Sequence, residues 1–208
     1  MPAGAPVEYA TPFDNELTAI FTATKDTKIE IPVLLAAWCS LRESEILGLQ
    51  YRDFDFEGKR FQIRRARVYV KGKPHLKIPK TKTSTRTVYL PDYIAAKILT
   101  QMEERNLTPK SDAFLFEFSG GYITKAFPTL LAKNGLPHCR FHDLRHAFVS
   151  ILTAQGVDKK YIQEMGGWAT DNVMNQIYKQ TSPSLKQEIN RQLDQVFTGI
   201  LPENTEKK

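Results

Sequence analysis

Apolar residues recur at helical spacing along most of the chain and switch to alternation over one interval near its middle. In "TPFDNELTAIFTAT", Leu17, Ile20 and Phe21 share a face behind a Thr–Pro entry, which predicts a helix. "IEIPVLLAAWCS" is apolar almost throughout and reads as a buried helix. "RESEILGLQ" reads as a short helix with Ile46, Leu47 and Leu49 turned inward. The character then changes. "RFQIRRARVYV" alternates Phe61, Ile63, Val68 and Val70 as a half-buried strand does, and "HLKIPKTKTSTRTVYLP" continues as two strands around a Thr/Ser-rich turn. Phe61 to Leu90 is therefore expected to form a small three-stranded antiparallel sheet.

Helical periodicity returns in "PDYIAAKILTQMEERN", with Pro91 suited to the first helical position. Further helices are predicted over Tyr122–Lys133, His142–Gln155, Lys159–Met165 and Asp171–Tyr178. The last one, "SLKQEINRQLDQVF", carries Leu185, Ile189, Leu193, Val196 and Phe197 on one stripe. The fold class is mainly α with a small three-stranded antiparallel sheet (α+β). The organisation read from the chain is a leader at 1–12, one domain at 13–200 and a disordered tail at 201–208.

Composition narrows the partner classes. The 208 residues are 41% hydrophobic and 25% charged, as in ordinary globular proteins, and carry a formal net charge of +6. A basic balance fits a polyanion without proving one. Two cysteines, Cys39 and Cys139, are too few for a disulfide framework and are expected to be buried thiols in a reducing cytosol. The start "MPAGAPVEYATP" lacks the basic and apolar blocks of a signal peptide, and "IPVLLAAWC" is too short to span a bilayer.

Four basic elements carry candidate chemistry. In "RFHDLRHAFVS", His142, Arg145 and His146 share one helix face, an unfavourable gathering unless an anion joins it. The two histidines have the spacing of the zinc-protease motif. However, Asp143 stands where that motif needs Glu, Arg145 would repel a metal, and no further Cys/His cluster supplies ligands. Histidines hydrogen-bonded in a core are the plainer alternative. In "CSLRESE", Ser40 and Glu43 have capping-box spacing, which predicts a helix starting at Ser40 with Arg42 in its first turn. A cation there is disfavoured by the helix dipole unless an anion joins it or Glu45 pairs with it. In "KIPKTKTSTRTVYL", Lys80 and Lys82 share a strand face. Lysines there usually keep a strand edge from pairing with other chains, which suffices for Lys80, whereas Lys82 near the turn can reach a bound backbone. In "MGGWATDNVMNQIYKQ", Gly166 and Gly167 break a helix, and Trp168 begins the next with an indole N–H that can only donate. Tyr178 stands in a polar context, while Tyr51, Tyr69, Tyr89, Tyr93 and Tyr161 have the apolar neighbours of packing residues.

Taken in order, "SLRESE", "KTKTSTRTVYL", "HDLRH", "GGW" and "IYKQ" resemble the signature of the tyrosine recombinases, the phage-integrase family. The resemblance covers about Thr11 to Val196. No piece is specific alone, but the order and the intervals from Arg42 to Arg145 and from Arg145 to Tyr178 are similar to the family's. It implies the family's catalytic-domain fold and a tyrosine that attacks a DNA phosphodiester, leaving a 3′-phosphotyrosyl link and a free 5′-hydroxyl. By position, Tyr178 would be the nucleophile and Arg42 and Arg145 would clamp the non-bridging oxygens. Lys82 would protonate the leaving oxygen, His142 would serve proton transfer, and Trp168 would stand where many members have His. Glu45 and His146 would support them. The implied cofactors and metals are none, the partner is double-stranded DNA, and the assembly is a homotetramer on DNA from a monomer alone. The implied setting is the cytoplasm, on the nucleoid, with integration or excision of a mobile element as the task.

The residue types suit that chemistry in their own right. Phosphoryl transfer depends on positioning and charge stabilisation. Two planar, permanently charged guanidiniums match phosphate oxygens, and cations lower the cost of forming a phenolate from a group with pKa near 10. A lysine beside such a cluster becomes a better acid near neutral pH. Two features depart from the pattern. The interval from Trp168 to Tyr178 is one residue longer than the family expectation. Family members also usually carry N-terminal DNA-binding domains, whereas this chain opens almost directly on the catalytic part, as a piece of a longer protein or a protein gripping DNA through other chains would. Rival readings are a type IB topoisomerase, a DNA-binding module without catalysis, and a metal-free nuclease built on His142, His146 and Lys82.

Overall fold

The structure, a computed structural model, describes residues 14–78 and 85–168. At its centre lies α2 (Glu30–Cys39), buried on nearly every side through Val33, Leu34, Leu35, Ala36 and Ala37. Its proline, Pro32, sits in the first turn, where a missing N–H costs no helical bond. Around it pack α1 (Asp14–Thr24), α3 (Glu43–Gly48), α4 (Asp92–Glu104) and α6 (Asp143–Ala154), with α5 (Gly120–Lys133) against α1 and α3. α7 (Lys159–Gly166) folds back onto α6. The expected helices are present in the described residues with ends shifted by up to three positions. Pro91, for example, precedes α4 as its cap instead of opening it.

The strands differ from the expectation. Five are formed: β1 (Phe54–Asp55), β2 (Arg60–Ile63), β3 (Ala66–Val70), β4 (Lys73–Lys77) and β5 (Arg86–Tyr89). They make a three-stranded antiparallel sheet in the order β1-β2-β5 and a separate ribbon of β3 and β4. Phe54, Phe61 and Val88 lie in register across the sheet and face the core. The single strand expected from Phe61 to Val70 is broken at Arg64–Arg65. There the Arg65 guanidinium grips the buried Asp53 carboxylate with two bonds, at 2.6 and 3.1 Å, and turns the chain out of the sheet. Gly48 permits the close crossing that follows, since a Cβ there would lie 2.6 Å from Arg65 O. The ribbon turns through Lys71 and Gly72, both at positive φ, a two-residue turn that matches strand twist. Within the ribbon the inward residue is Arg67, packed over the Phe114 ring at 4.3 Å, and not Val70, which is exposed.

The main core joins Leu35, Ile46, Tyr51, Phe61, Leu90, Ile98, Phe127 and Leu144. A second cluster of Phe148, Val149, Ile162 and Trp168 ties α6 to α7. Cys39 and Cys139 are free and buried, and burial pushes each thiol up to about 12. Among the described residues no helix is long and apolar enough to cross a membrane.

Candidate active site

The site grows from the junction of α2 and α3. Ser40 takes a left-handed conformation (φ 53°) that closes α2, with Leu41 N–H reaching back to Leu35 O at 3.2 Å. Ser40 therefore ends one helix and does not start the next. The helix begins after Arg42, which has the extended backbone of a cap. Glu45, three residues on, accepts the Arg42 N–H at 2.9 Å, the role expected of Glu43 relative to Ser40. An arginine side chain has nothing to accept with, so this is half of a capping box. The same carboxylate accepts from Arg42 Nη1 at 2.8 Å, as expected of Glu45.

Arg145 approaches from the first turn of α6. Its Nη1 donates to Ser40 O, and its Nη2 donates to Gly166 O at 2.7 Å. Arg42 Nη2 donates to the next carbonyl, Gly167 O, at 3.2 Å. Gly167 holds φ 63° at the end of α7, the left-handed state that glycine adopts without strain. The turn thus offers two consecutive carbonyls to two arginines. A third guanidinium, Arg86 at the start of β5, meets both Glu45 oxygens at 3.2 Å, while Arg145 stands 4.0 Å from the same carboxylate. Three cations surround one anion. They are unequal, since the Arg42 side chain is 42% exposed and that of Arg145 only 1%.

Electrostatics follow from this crowding. Burial pushes Glu45 up, but Arg86 and Arg42 outweigh it and hold the carboxyl below its ordinary value. Burial, reinforced by Arg42, pulls Arg145 down to about 9, still a cation at neutral pH. Arg145 also packs against Trp168, whose ring centroid lies 4.0 Å from the guanidinium carbon. His146 stacks 5.8 Å from Trp168 at 28°, and His142 meets His146 edge-on at 5.1 Å. Burial lowers both histidines, His146 to about 4, with His142 adding to its shift. Both rings are thus neutral near pH 7. The Trp168 indole N–H is buried without an acceptor among the described residues.

The fold therefore gathers Arg42, Glu45, His142, Arg145, His146 and Trp168 in one place. Lys80, Lys82 and Tyr178 lie outside the described residues, as do the helices expected over Asp171–Tyr178 and Leu185–Phe197, the leader and the tail. Of the tyrosines expected to pack, Tyr51 is buried and Tyr69 lies against the core, whereas Tyr89, Tyr93 and Tyr161 are exposed. Tyr93 sits at the surface because its hydroxyl donates to Glu30 at 3.1 Å. The residue that sequence reasoning missed is Arg86. In "TSTRTVYL" it alternates with Val88, whose inward face it shares, so an arginine on a buried register was the available signal. Among the described residues no group of three or more His, Cys, Asp and Glu is placed to hold a metal.

A mainly helical domain with a small sheet, gathering guanidiniums at the ends of three elements, defines a class with a built cluster of fixed cations. The sequence profile of the phage integrase family matches residues 14–184, and the chain belongs to that family. A XerC-like tyrosine recombinase of Caldanaerobacter subterraneus is 29% identical, covering 91% of this chain and 55% of the relative. The integrase of Mycobacterium phage FRAT1 is 28% identical, covering 97% and 62%. The chain thus spans little more than half the length of these curated relatives. Among solved structures, the Tn1549 transposon integrase in complex with transposon right-end DNA superposes with a TM-score of 0.73 at 19% identity, over 93% of this chain and 68% of that one. The catalytic domain of bacteriophage HP1 integrase gives 0.56 at 19% identity, over 88% and 95%. These likenesses establish the fold.

Proposed function

We propose that the chain is the catalytic part of a site-specific DNA recombinase that moves a mobile element. The observation that carries this reading is the convergence of Arg42 and Arg145 on Glu45 and on the Gly166–Gly167 carbonyls. Paired guanidiniums suit the non-bridging oxygens of a phosphodiester and supply its charge stabilisation. Arg42 presents the open fork, and Arg145 adds a second charge from behind it. Tyr178 attacks phosphorus, the bond to the 5′-oxygen breaks, and Lys82 gives that oxygen its proton. His142, neutral and exposed, accepts the phenol proton. A 5′-hydroxyl from another strand then displaces the tyrosine in the reverse sense. Trp168 holds Arg145 by stacking, and His146 backs Trp168.

The charge distribution supports DNA as the partner. From Gly58 to Pro91 there are eleven Lys and Arg residues and no Asp or Glu, so the rest of the chain is net acidic. That interval contains strands β2 to β5. On the β3–β4 ribbon, Lys73, His75 and Lys77 lie on one exposed face. The relatives' integrase and recombinase names, and the Tn1549 complex with transposon DNA, agree with this partner. Assembly as a tetramer on DNA, and a place on the nucleoid, follow from the same reading.

The test uses short nicked duplexes tiled across the DNA flanking the gene that encodes the chain. An SDS-resistant protein–DNA adduct is expected on at least one duplex, absent in Tyr178→Phe while binding persists. An adduct retained in that variant refutes the nucleophile, product without an adduct favours a hydrolytic nuclease, and no adduct on any duplex overturns the reading.

A further inference from the structure

We propose that Arg86 is a positioning residue that holds the Glu45 carboxylate on Arg42 and away from Arg145, leaving the Arg145 charge free for a phosphate. This rests on reading the arginine pair as a phosphate clamp. The geometry is that of a fork meeting a fork. Arg86 Nη1 donates to Glu45 Oε1 and Nη2 to Oε2, both at 3.2 Å, and Nε donates to Met165 O at 3.3 Å. The side chain is 8% exposed, and the Gly167 backbone lies against its flat face, where an added Cβ would stand 2.7 Å from Nη1. Pairing of Arg86 with Ile63 fixes its place in the sheet. Arg86 is thus immobilised between Glu45 and the turn that carries the Gly166 and Gly167 carbonyls.

Glu45 is the only carboxylate that the described ion pairs place beside Arg42 or Arg145. It is needed, because its bonds to Arg42 set that fork's direction. It is also a competitor, because an anion closing on the pair takes the place of the substrate anion. With Arg86 present, both carboxylate oxygens are engaged on its side, and Arg145 stays at 4.0 Å, beyond hydrogen-bond range. Without Arg86, one anion faces two cations instead of three, and nothing on the sheet side restrains it. The carboxylate then swings toward Arg145, and the clamp loses charge where the reaction develops it. Arg86 also stands four residues after Lys82 in the sequence.

A role through Glu45 makes a prediction that a scaffolding role does not. Arg86→Met lowers single-turnover adduct formation about 100-fold, the scale of a misplaced catalytic group. Adding Glu45→Gln to it removes the stray charge, keeps an acceptor for the Arg42 N–H, and recovers about tenfold, the scale of one restored charge contact. Simple scaffolding makes the double variant no better than Arg86→Met, and that result overturns the proposal, as does a wild-type rate in Arg86→Met. If Arg86→Met does not unfold cooperatively, Arg86→Gln carries the same comparison with Glu45→Gln, judged by the same criteria. The probe is the nicked duplex on which the wild-type chain forms its adduct. A wild-type chain that forms none overturns the recombinase reading, whereas a wild-type adduct without rescue overturns only the role of Arg86.

Discussion

Arg42 and Arg145 donate to neighbouring carbonyls of one turn, Arg42 Nη2 to Gly167 O at 3.2 Å and Arg145 Nη2 to Gly166 O at 2.7 Å. The end of α7 is therefore a template on which two guanidiniums from separate helices are laid side by side. Distances within this template, more than the presence of basic residues, set where the two guanidiniums stand relative to each other.

Gly167→Ala tests the template. At φ 63° a side chain is strained, and its Cβ would press on Arg86 Nη1 at 2.7 Å. A loss of about 1–2 kcal/mol in urea unfolding is expected, with adduct formation reduced more than about tenfold. A variant with a wild-type cleavage rate refutes the template.

Arg145→Lys and Arg42→Lys separate the enclosed cation from the open one. A lysine at 145 cannot serve Ser40 O and Gly166 O together and loses the flat contact with Trp168. Arg145→Lys is expected to cost about 2–4 kcal/mol of stability, since buried carbonyls lose their donors. Arg42→Lys is expected to stay within about 1 kcal/mol, because that side chain is half in water and the backbone bond to Glu45 remains. Both should lower adduct formation, and equal stability losses would contradict the inside–outside arrangement.

His146 predicts a dependence on pH. Its native value, about 4, lies below the ordinary 6.5, so the unfolded chain binds more protons between those limits. Stability is full above about 6.5 and falls as pH drops toward 4, by at most about 2 kcal/mol from pH 6.5 to 5. Urea unfolding at pH 7 and pH 5 measures the drop, and His146→Phe should flatten it. An unchanged slope in that variant assigns the effect elsewhere.

Salt dependence checks the ribbon. Binding to duplex DNA should weaken steadily as salt rises, and replacing Lys73 and Lys77 by Gln should lower the slope of log affinity against log salt by about 2. Unaltered slope would mean that the exposed face of β4 does not meet phosphates.

Much of this was legible in the chain. The helices followed from spacing, and α2 from an apolar run too continuous for a surface helix. The family signature also led to the residues that converge. What misled was local. Ser40 and Glu43 have capping-box spacing, yet Ser40 closes α2 in a left-handed turn, with its carbonyl taken by Arg145 from a distant helix. The strand from Phe61 to Val70 broke because Arg65 found the buried Asp53, a partner no alternation pattern contains. In hindsight the alternation itself changes parity between Ile63 and Val68, so the break left a trace.

Periodicity, turn residues and charge order belong to neighbours along the chain, and from them the sequence by itself determined the helices of the described residues and most of the basic groups. Which of those groups act together was decided only by tertiary structure. The bonds that build the site join Ser40 to Arg145, Arg42 to Gly167 and Glu45 to Arg86, and each closes a long loop. Such contacts exist only once the packing of α2, α3, α6, α7 and β5 has brought their ends together. Arg42 and Arg145 could be named from the family signature, whereas the sequence marked Arg86 only as an arginine on a buried register, and its bond to Glu45 came with the packing.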